Sequence, residues 1–187
     1  RKDIPRALRA VQKRVDLLGN DFYLAHIYRT LHWWTIPTHV TVLGDLVGSQ
    51  WVSDEEFERR GARFWDRVFR GGVRVDDGIT STGETGYKRE GEESFTVADS
   101  AWDRRIINIA GNHDIGYAGD VSTARLERFE RVFGRANWDV RFEYRHNSSG
   151  PTPPTLHLIN LNSLTLDAPP LEEDIQRNSY VYVNDLI

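Results

Sequence analysis

The 187-residue chain contains no cysteine and no methionine. Without cysteine there are no disulfides and no thiolate metal ligands, although the compartment stays open. Without methionine the chain does not start at an initiator residue, so it is expected to be a processed product or a piece of a longer protein. No run approaches the ~18 consecutive apolar residues of a membrane span. No secretory leader is visible at the N-terminus. Excess positive charge is also lacking: the net charge of −4 argues against non-specific nucleic-acid binding. The first sixteen residues are locally basic and read as a solvated helix face. What remains is 39% hydrophobic and 28% charged, the balance of a soluble globular chain long enough to bury a core.

The spacing of apolar residues predicts a helix over about 4–18, with Leu8, Val11, Val15 and Leu18 on one face. Gly19-Asn20-Asp21 reads as a stop and a new cap, followed by a second helix to about Trp34 that Pro37 terminates. Residues 39–43 read as a buried strand. Ser53 and Glu56 have capping-box spacing ahead of a helix carrying Phe57, Phe64, Trp65 and Val68. Residues 71–103 are rich in glycine and acidic groups and read as a long, flexible surface insertion that folding does not need. Within it, Gly83 to Lys88 has the wrong spacing for a phosphate loop. A strand at 105–109, a helix at 122–133 closed by Gly134, strands at 139–145 and 155–161, and a last segment from Leu171 that opens a helix complete the order. Asn147-Ser148-Ser149, between those two strands, is a candidate glycosylation acceptor. The succession of helices and strands implies an α/β fold in one partial domain spanning 1–187.

Two strand-like runs end in a glycine followed by a ligand-type residue. Val40-Thr41-Val42-Leu43 leads into Gly44-Asp45, and Ile106-Ile107-Asn108-Ile109-Ala110 leads into Gly111-Asn112-His113-Asp114. Either alone reads as an ordinary turn. Together they bring a carboxylate, an amide and an imidazole to the carboxyl edge of one sheet, where α/β proteins bind ligands. That donor set suits two divalent cations ~4 Å apart gripping a phosphate ester. Asp45 is the natural bridging carboxylate, and the Asn112 side-chain carbonyl suits a hard metal. His113 is placed to protonate a leaving oxygen or stabilise phosphoryl charge. Asp114 is expected to hold that imidazole in the useful tautomer. Gly44 and Gly111 would let the backbone turn and approach closely. His26, His32, His39, His146 and His157 lack such surroundings and read as structural. Trp51 is a candidate for the rim of a pocket.

These two blocks resemble the second and third signature blocks of calcineurin-like metallophosphoesterases. Val42 to Val47, the Trp51 region with its phenylalanine-rich helix, and Ala110 to Gly116 with the Arg125–Phe133 segment are similar to one membrane-anchored eukaryotic subgroup. That subgroup removes ethanolamine phosphate from mannose of glycosylphosphatidylinositol (GPI) anchors. The likeness covers about residues 21–70 and 104–165. It implies a four-layer α/β/β/α sandwich, incomplete here at both ends. It also implies metal at Asp45 and Asn112, and His113 acting on the phosphoryl group with Asp114 behind it. The implied cofactor is two divalent ions, Mn²⁺ first, with Zn²⁺ or Fe as alternatives. The implied substrate is a GPI-anchor glycolipid or GPI-anchored protein, with cargo receptors as candidate partners. The implied place is the lumenal side of the endoplasmic reticulum or early secretory pathway, with membrane attachment by segments outside this chain.

The family's first block, Asp-x-His or Asp-x-Gln, has no counterpart before Gly44. Its later lone histidine and Gly-His-x-His block have none after Asn162. About half of a dinuclear site is therefore expected, and weak metal binding with it. Two alternatives stand beside the enzyme: a non-catalytic scaffold or cargo-export module of the same fold, and a soluble phosphoesterase acting on nucleotides or phosphoproteins.

Overall fold

A computed structural model of the chain describes residues 3–81, 94–96, 100–143, 155–167 and 169–186. Helix α1 runs from Asp3 to Thr35, and strand β1 spans Val40–Val42. Helix α2 spans Asp54–Arg63 and continues into a π-helical turn, Phe64–Val68. Next come β2 (Val73–Arg74), α3 (Asp77–Thr80) and β3 (Ser94–Thr96). A 3-10 turn at Ser100–Asp103 leads into β4 (Arg105–Asn108) and α4 (Asn112–Ile115). Helix α5 (Thr123–Phe133) precedes the strands β5 (Trp138–Glu143) and β6 (Thr155–Asn160), and α6 (Glu173–Leu186) closes the order.

The strands form two small sheets. In the first, β4 lies between β1 and β2, all parallel. In the second, β5 pairs antiparallel with β6 and parallel with β3. Successive side chains of a strand point to opposite faces, and β4 shows the result. Ile106 joins Phe57, Phe64, Phe129 and Phe133 in a core under the helices. Its neighbour Ile107 joins Trp102, Trp138, Val140 and Phe142 in a second core beneath the other sheet. Helices, sheet and sheet thus stack in succession, which is the α/β character expected; the fold is a mixed α/β assembly with two small sheets.

The helix around Phe57 starts where its cap predicts. Ser53 Oγ accepts the Glu56 amide N–H at 3.3 Å. Glu56 itself turns to Arg59 and Arg60, at 2.7 and 2.9 Å, instead of closing the box. Ser122 likewise caps α5 by accepting the Arg125 amide N–H. Gly134 ends that helix at φ +99°, a value that suits glycine.

Four expectations differ from the structure. Gly19-Asn20-Asp21 does not break the N-terminal helix: α1 is continuous. A glycine inside a helix costs only about 1 kcal/mol against alanine. Asp21 is nearly buried and ion-paired to Arg63 and Arg67 at 3.0 and 2.9 Å, so a partner on another element replaces its capping role. Leu8, Val11, Val15 and Leu18 are exposed, and α1 instead buries Asp21 and Ala25. Strand β1 is half-exposed rather than buried. The proposed insertion over 71–103 is no loose loop at its ends. Val75, Ile79 and Trp102 are core residues, with Trp102 only 1% exposed. The Gly83–Lys88 stretch and the glycosylation candidate Asn147 lie outside the described residues.

Two outcomes follow for stability. Trp102→Ala should destabilise the chain by about 3–5 kcal/mol, the usual cost of truncating a buried aromatic, read from urea unfolding. Replacing 71–103 with a short linker should lower the melting temperature for the same reason. Glu130 gives a pH test. Burial raises its carboxyl above the usual range, against the lowering influence of the Ala136 amide and Arg135. Between the ordinary glutamate pKa and that raised value the native state holds more protons than the unfolded chain. Stability contributed by this group therefore falls as pH rises through the window. Glu130→Gln keeps an oxygen for the Ala136 N–H and should flatten that fall in unfolding curves taken upward from about pH 4.

Candidate metallophosphoesterase-type site

β1 and β4 are adjacent and parallel, with Val42 opposite Asn108. Their carboxyl ends therefore open side by side, and the two motifs follow directly. The loops touch at their glycines. A Cβ on Gly44 would sit 2.9 Å from the Gly111 Cα, and one on Gly111 would sit 2.2 Å from the Asp45 nitrogen. No other residue permits this approach without moving backbone. Asp45 itself has φ +58°, a left-handed conformation uncommon outside glycine, asparagine and aspartate. Strain of this kind concentrates at functional sites.

Asp45 is exposed, and its Oδ1 accepts the His113 backbone N–H at 3.0 Å. This fixes the carboxylate of an exposed residue at the start of α4. Asn112 and His113 are also exposed at the same junction. The structure thus brings Asp45, Asn112 and His113 together, as their spacing predicts. Beside Asp45 an open cleft of about 440 Å³ is lined by β1, by Leu24 and Tyr28 of α1, and by Phe69, whose ring contacts that of Tyr28.

Asp114 takes a different role from the one expected. It is fully buried. Its Oδ2 accepts the Gly111 amide at 2.9 Å and its Oδ1 accepts the Val47 amide at 3.0 Å. Both oxygens serve backbone, so the carboxylate clamps the Asp45 loop to the His113 loop instead of orienting the imidazole. Burial pushes its pKa up, and these amide bonds oppose the shift.

Two arginines that the sequence reading passed over support the same loop. Arg128 donates to the Val52 and Gln50 carbonyls and to Asp54, with its guanidinium 4.6 Å from the Phe57 ring centroid. Arg60 donates to the Val47 carbonyl at 2.8 Å. The available signal was an arginine among the apolar positions of α5, next to Phe129. Trp51, expected near a pocket, instead stacks under Arg125 at 4.4 Å on the surface. His157 binds Asp139 at 2.5 Å, away from the site, as a structural histidine would.

Protein TED1 of Saccharomyces cerevisiae is 32% identical over 92% of this chain and 42% of its own length. Metallophosphoesterase 1 of Danio rerio is 26% identical over 64% of the chain and 24% of its own. The Mus musculus protein of the same name is also 26% identical, over 64% of the chain. The chain is metallophosphoesterase-like. It spans less than half of the length of these relatives. An uncharacterized protein of Schizosaccharomyces pombe is 31% identical over 82% of the chain. No family model matches the chain, and no solved structure does.

The Asp114 clamp is open to test. Asp114→Ala would leave the Val47 and Gly111 amides without their acceptor, at about 1–3 kcal/mol for each buried group. Urea unfolding should show that loss. Amide hydrogen exchange should accelerate at Val47 and Gly111 more than at Phe129. Unchanged protection at Val47 would refute the clamp.

Proposed function

We propose that this chain supplies one half of a metal-dependent phosphoester hydrolase centre. In this reading the parent protein removes ethanolamine phosphate from GPI-anchor mannose on the lumenal side of the early secretory pathway. The observation that carries it is the junction of the two motifs: Asp45 Oδ1 bonded to the His113 amide at the carboxyl ends of adjacent parallel strands. Similarity to proteins named Metallophosphoesterase 1 supports the hydrolase class. The GPI substrate rests on the resemblance of the Val42–Val47 and Ala110–Phe133 segments to that subgroup.

The donors fit a divalent cation in kind. Asp45 brings an exposed carboxylate and Asn112 an exposed side-chain amide, both suited to a hard ion such as Mn²⁺. Among the described residues, no three histidine, aspartate or glutamate side chains converge to hold an ion. The remaining ligands would come from elsewhere in the parent. A bound pair of cations would neutralise phosphate charge and supply hydroxide near neutral pH. The chain's own residues do the rest. The His113 amide holds Asp45 in one orientation. The exposed His113 ring would hand a proton to the departing sugar oxygen. The Asp114 clamp keeps the two loops in register while substrate binds.

Two substitutions in the full-length parent test this. Asp45→Asn should abolish manganese-dependent phosphodiester cleavage without loss of fold. His113→Ala should keep bound metal but slow turnover by ~10²–10⁴. Metal content and rate are measured on one preparation. Full activity in the Asp45 variant would overturn the dinuclear reading, and no activity in the unsubstituted parent would favour a scaffold of the same fold.

A further inference from the structure

Away from Asp45, the side of α1 facing the end of α2 carries a concentration of arginine. Arg29, Arg63, Arg67 and Arg70 wall an open cleft of about 380 Å³ whose apolar surface includes Phe22. A neighbouring cleft of about 330 Å³ shares Arg29 and Arg70 and adds Arg104 and Trp33. Arg63 and Arg67 share a single carboxylate, Asp21. Arg29, Arg70 and Arg104 are exposed, and their side chains make no ion pair among the described residues. Asp66 and Asp103 add negative charge nearby, which leaves the face positive on a chain whose net charge is −4.

The same end of α1 presents large apolar side chains to solvent. Trp33 is 81% exposed, Trp34 75% and Ile36 80%. Guanidinium groups pair bidentately with phosphodiester oxygens. Indole rings favour the boundary between headgroups and acyl chains, and arginine stems lie along apolar surface while their heads stay wet. A small soluble phosphate would account for the arginines but not for the apolar tip. A nucleic acid would meet the repulsion of an acidic chain and would leave Ile36 without an apolar partner.

We propose that this end of α1, with Arg29, Arg70 and Arg104 beside Trp33 and with Trp34 and Ile36 exposed just beyond it in the chain, docks the protein on an anionic phospholipid surface. Contact would come from this chain's own residues, in addition to any attachment elsewhere in the parent. It does not depend on the phosphoesterase reading, and its test involves no catalysis.

The test is sedimentation of the 187-residue chain with phosphatidylserine-containing vesicles and with pure phosphatidylcholine vesicles. Binding should occur with the first, weaken as salt rises, and shift tryptophan emission to the blue. Arg29→Ala with Arg70→Ala should reduce partitioning roughly tenfold or more, given a factor of about five for each basic residue near such a surface. Trp33→Ser with Trp34→Ser should abolish the blue shift. Circular dichroism confirms that the variants fold, and Arg29→Lys with Arg70→Lys should restore most of the binding. Equal partitioning onto phosphatidylcholine would overturn the proposal, as would undiminished binding by the double alanine variant. So would sedimentation without vesicles, which would make the face a contact between copies. Loss of vesicle binding in millimolar glycerophosphoserine, at constant ionic strength, would assign the cleft to a free headgroup and also overturn it.

Discussion

The contact between the loops after β1 and β4 is the constraint on which the candidate site depends. Two glycines let the backbones meet, and a buried carboxylate, Asp114, bonds an amide from each loop. The loop after β1 has no regular element of its own to define its path, and the one after β4 has only the single turn of α4. Their shape comes from each other, and from Arg60 and Arg128, which gather the carbonyls of Val47, Gln50 and Val52 from the helix side. A charged group buried without polar partners would be very costly. Here the two amides offset that cost, so the same bonds that make Asp114 tolerable also set the position of Asp45.

β4 ties this local arrangement to the rest of the fold. It is the central strand of its sheet, and consecutive residues feed separate cores. Ile106 is packed by the phenylalanines of α2 and α5, and Ile107 by the tryptophans and phenylalanine of the opposing layer. A shift of β4 by one residue would exchange those surroundings. Packing on two sides therefore fixes the register that places Asn112 and His113 beside Asp45.

The legible features of the sequence were the local ones. Glycine followed by a ligand-type residue after an apolar run marks a strand end, and Ser53 and Ser122 mark helix starts; each signal spans only a few residues. The missed features depend on distant partners. Asp21 looks like a cap until Arg63 and Arg67 claim it. Val75, Ile79 and Trp102 look like stray apolar residues in an acidic stretch, because Trp138, Val140 and Phe142 come much later in the chain. Asp114 adjoins His113 in sequence, which suggested a catalytic partnership, yet its acceptor capacity goes to the backbone of Val47, 67 positions away. The elongated α1 was misread because propensity at Gly19 is a weak signal beside the continuous hydrogen bonding of a helix.

The wide separation of the two motifs also shapes how the chain reaches its native form. Their bonds join residues 67 and 68 positions apart, whereas α5 and its caps close within a dozen residues. Closing a long loop costs entropy before any contact offsets it, and non-local parallel pairing is slow to nucleate. The helical segments can gain order early, but the Asp45–His113 junction has no partner until β4 has been synthesised and has found β1. During that interval a nascent chain exposes Phe57 and Phe64 without their common centre, Ile106, and Phe129 and Phe133 are made only after it. The step that creates the candidate site is then also the step that packs these rings against one another and out of reach of chaperones.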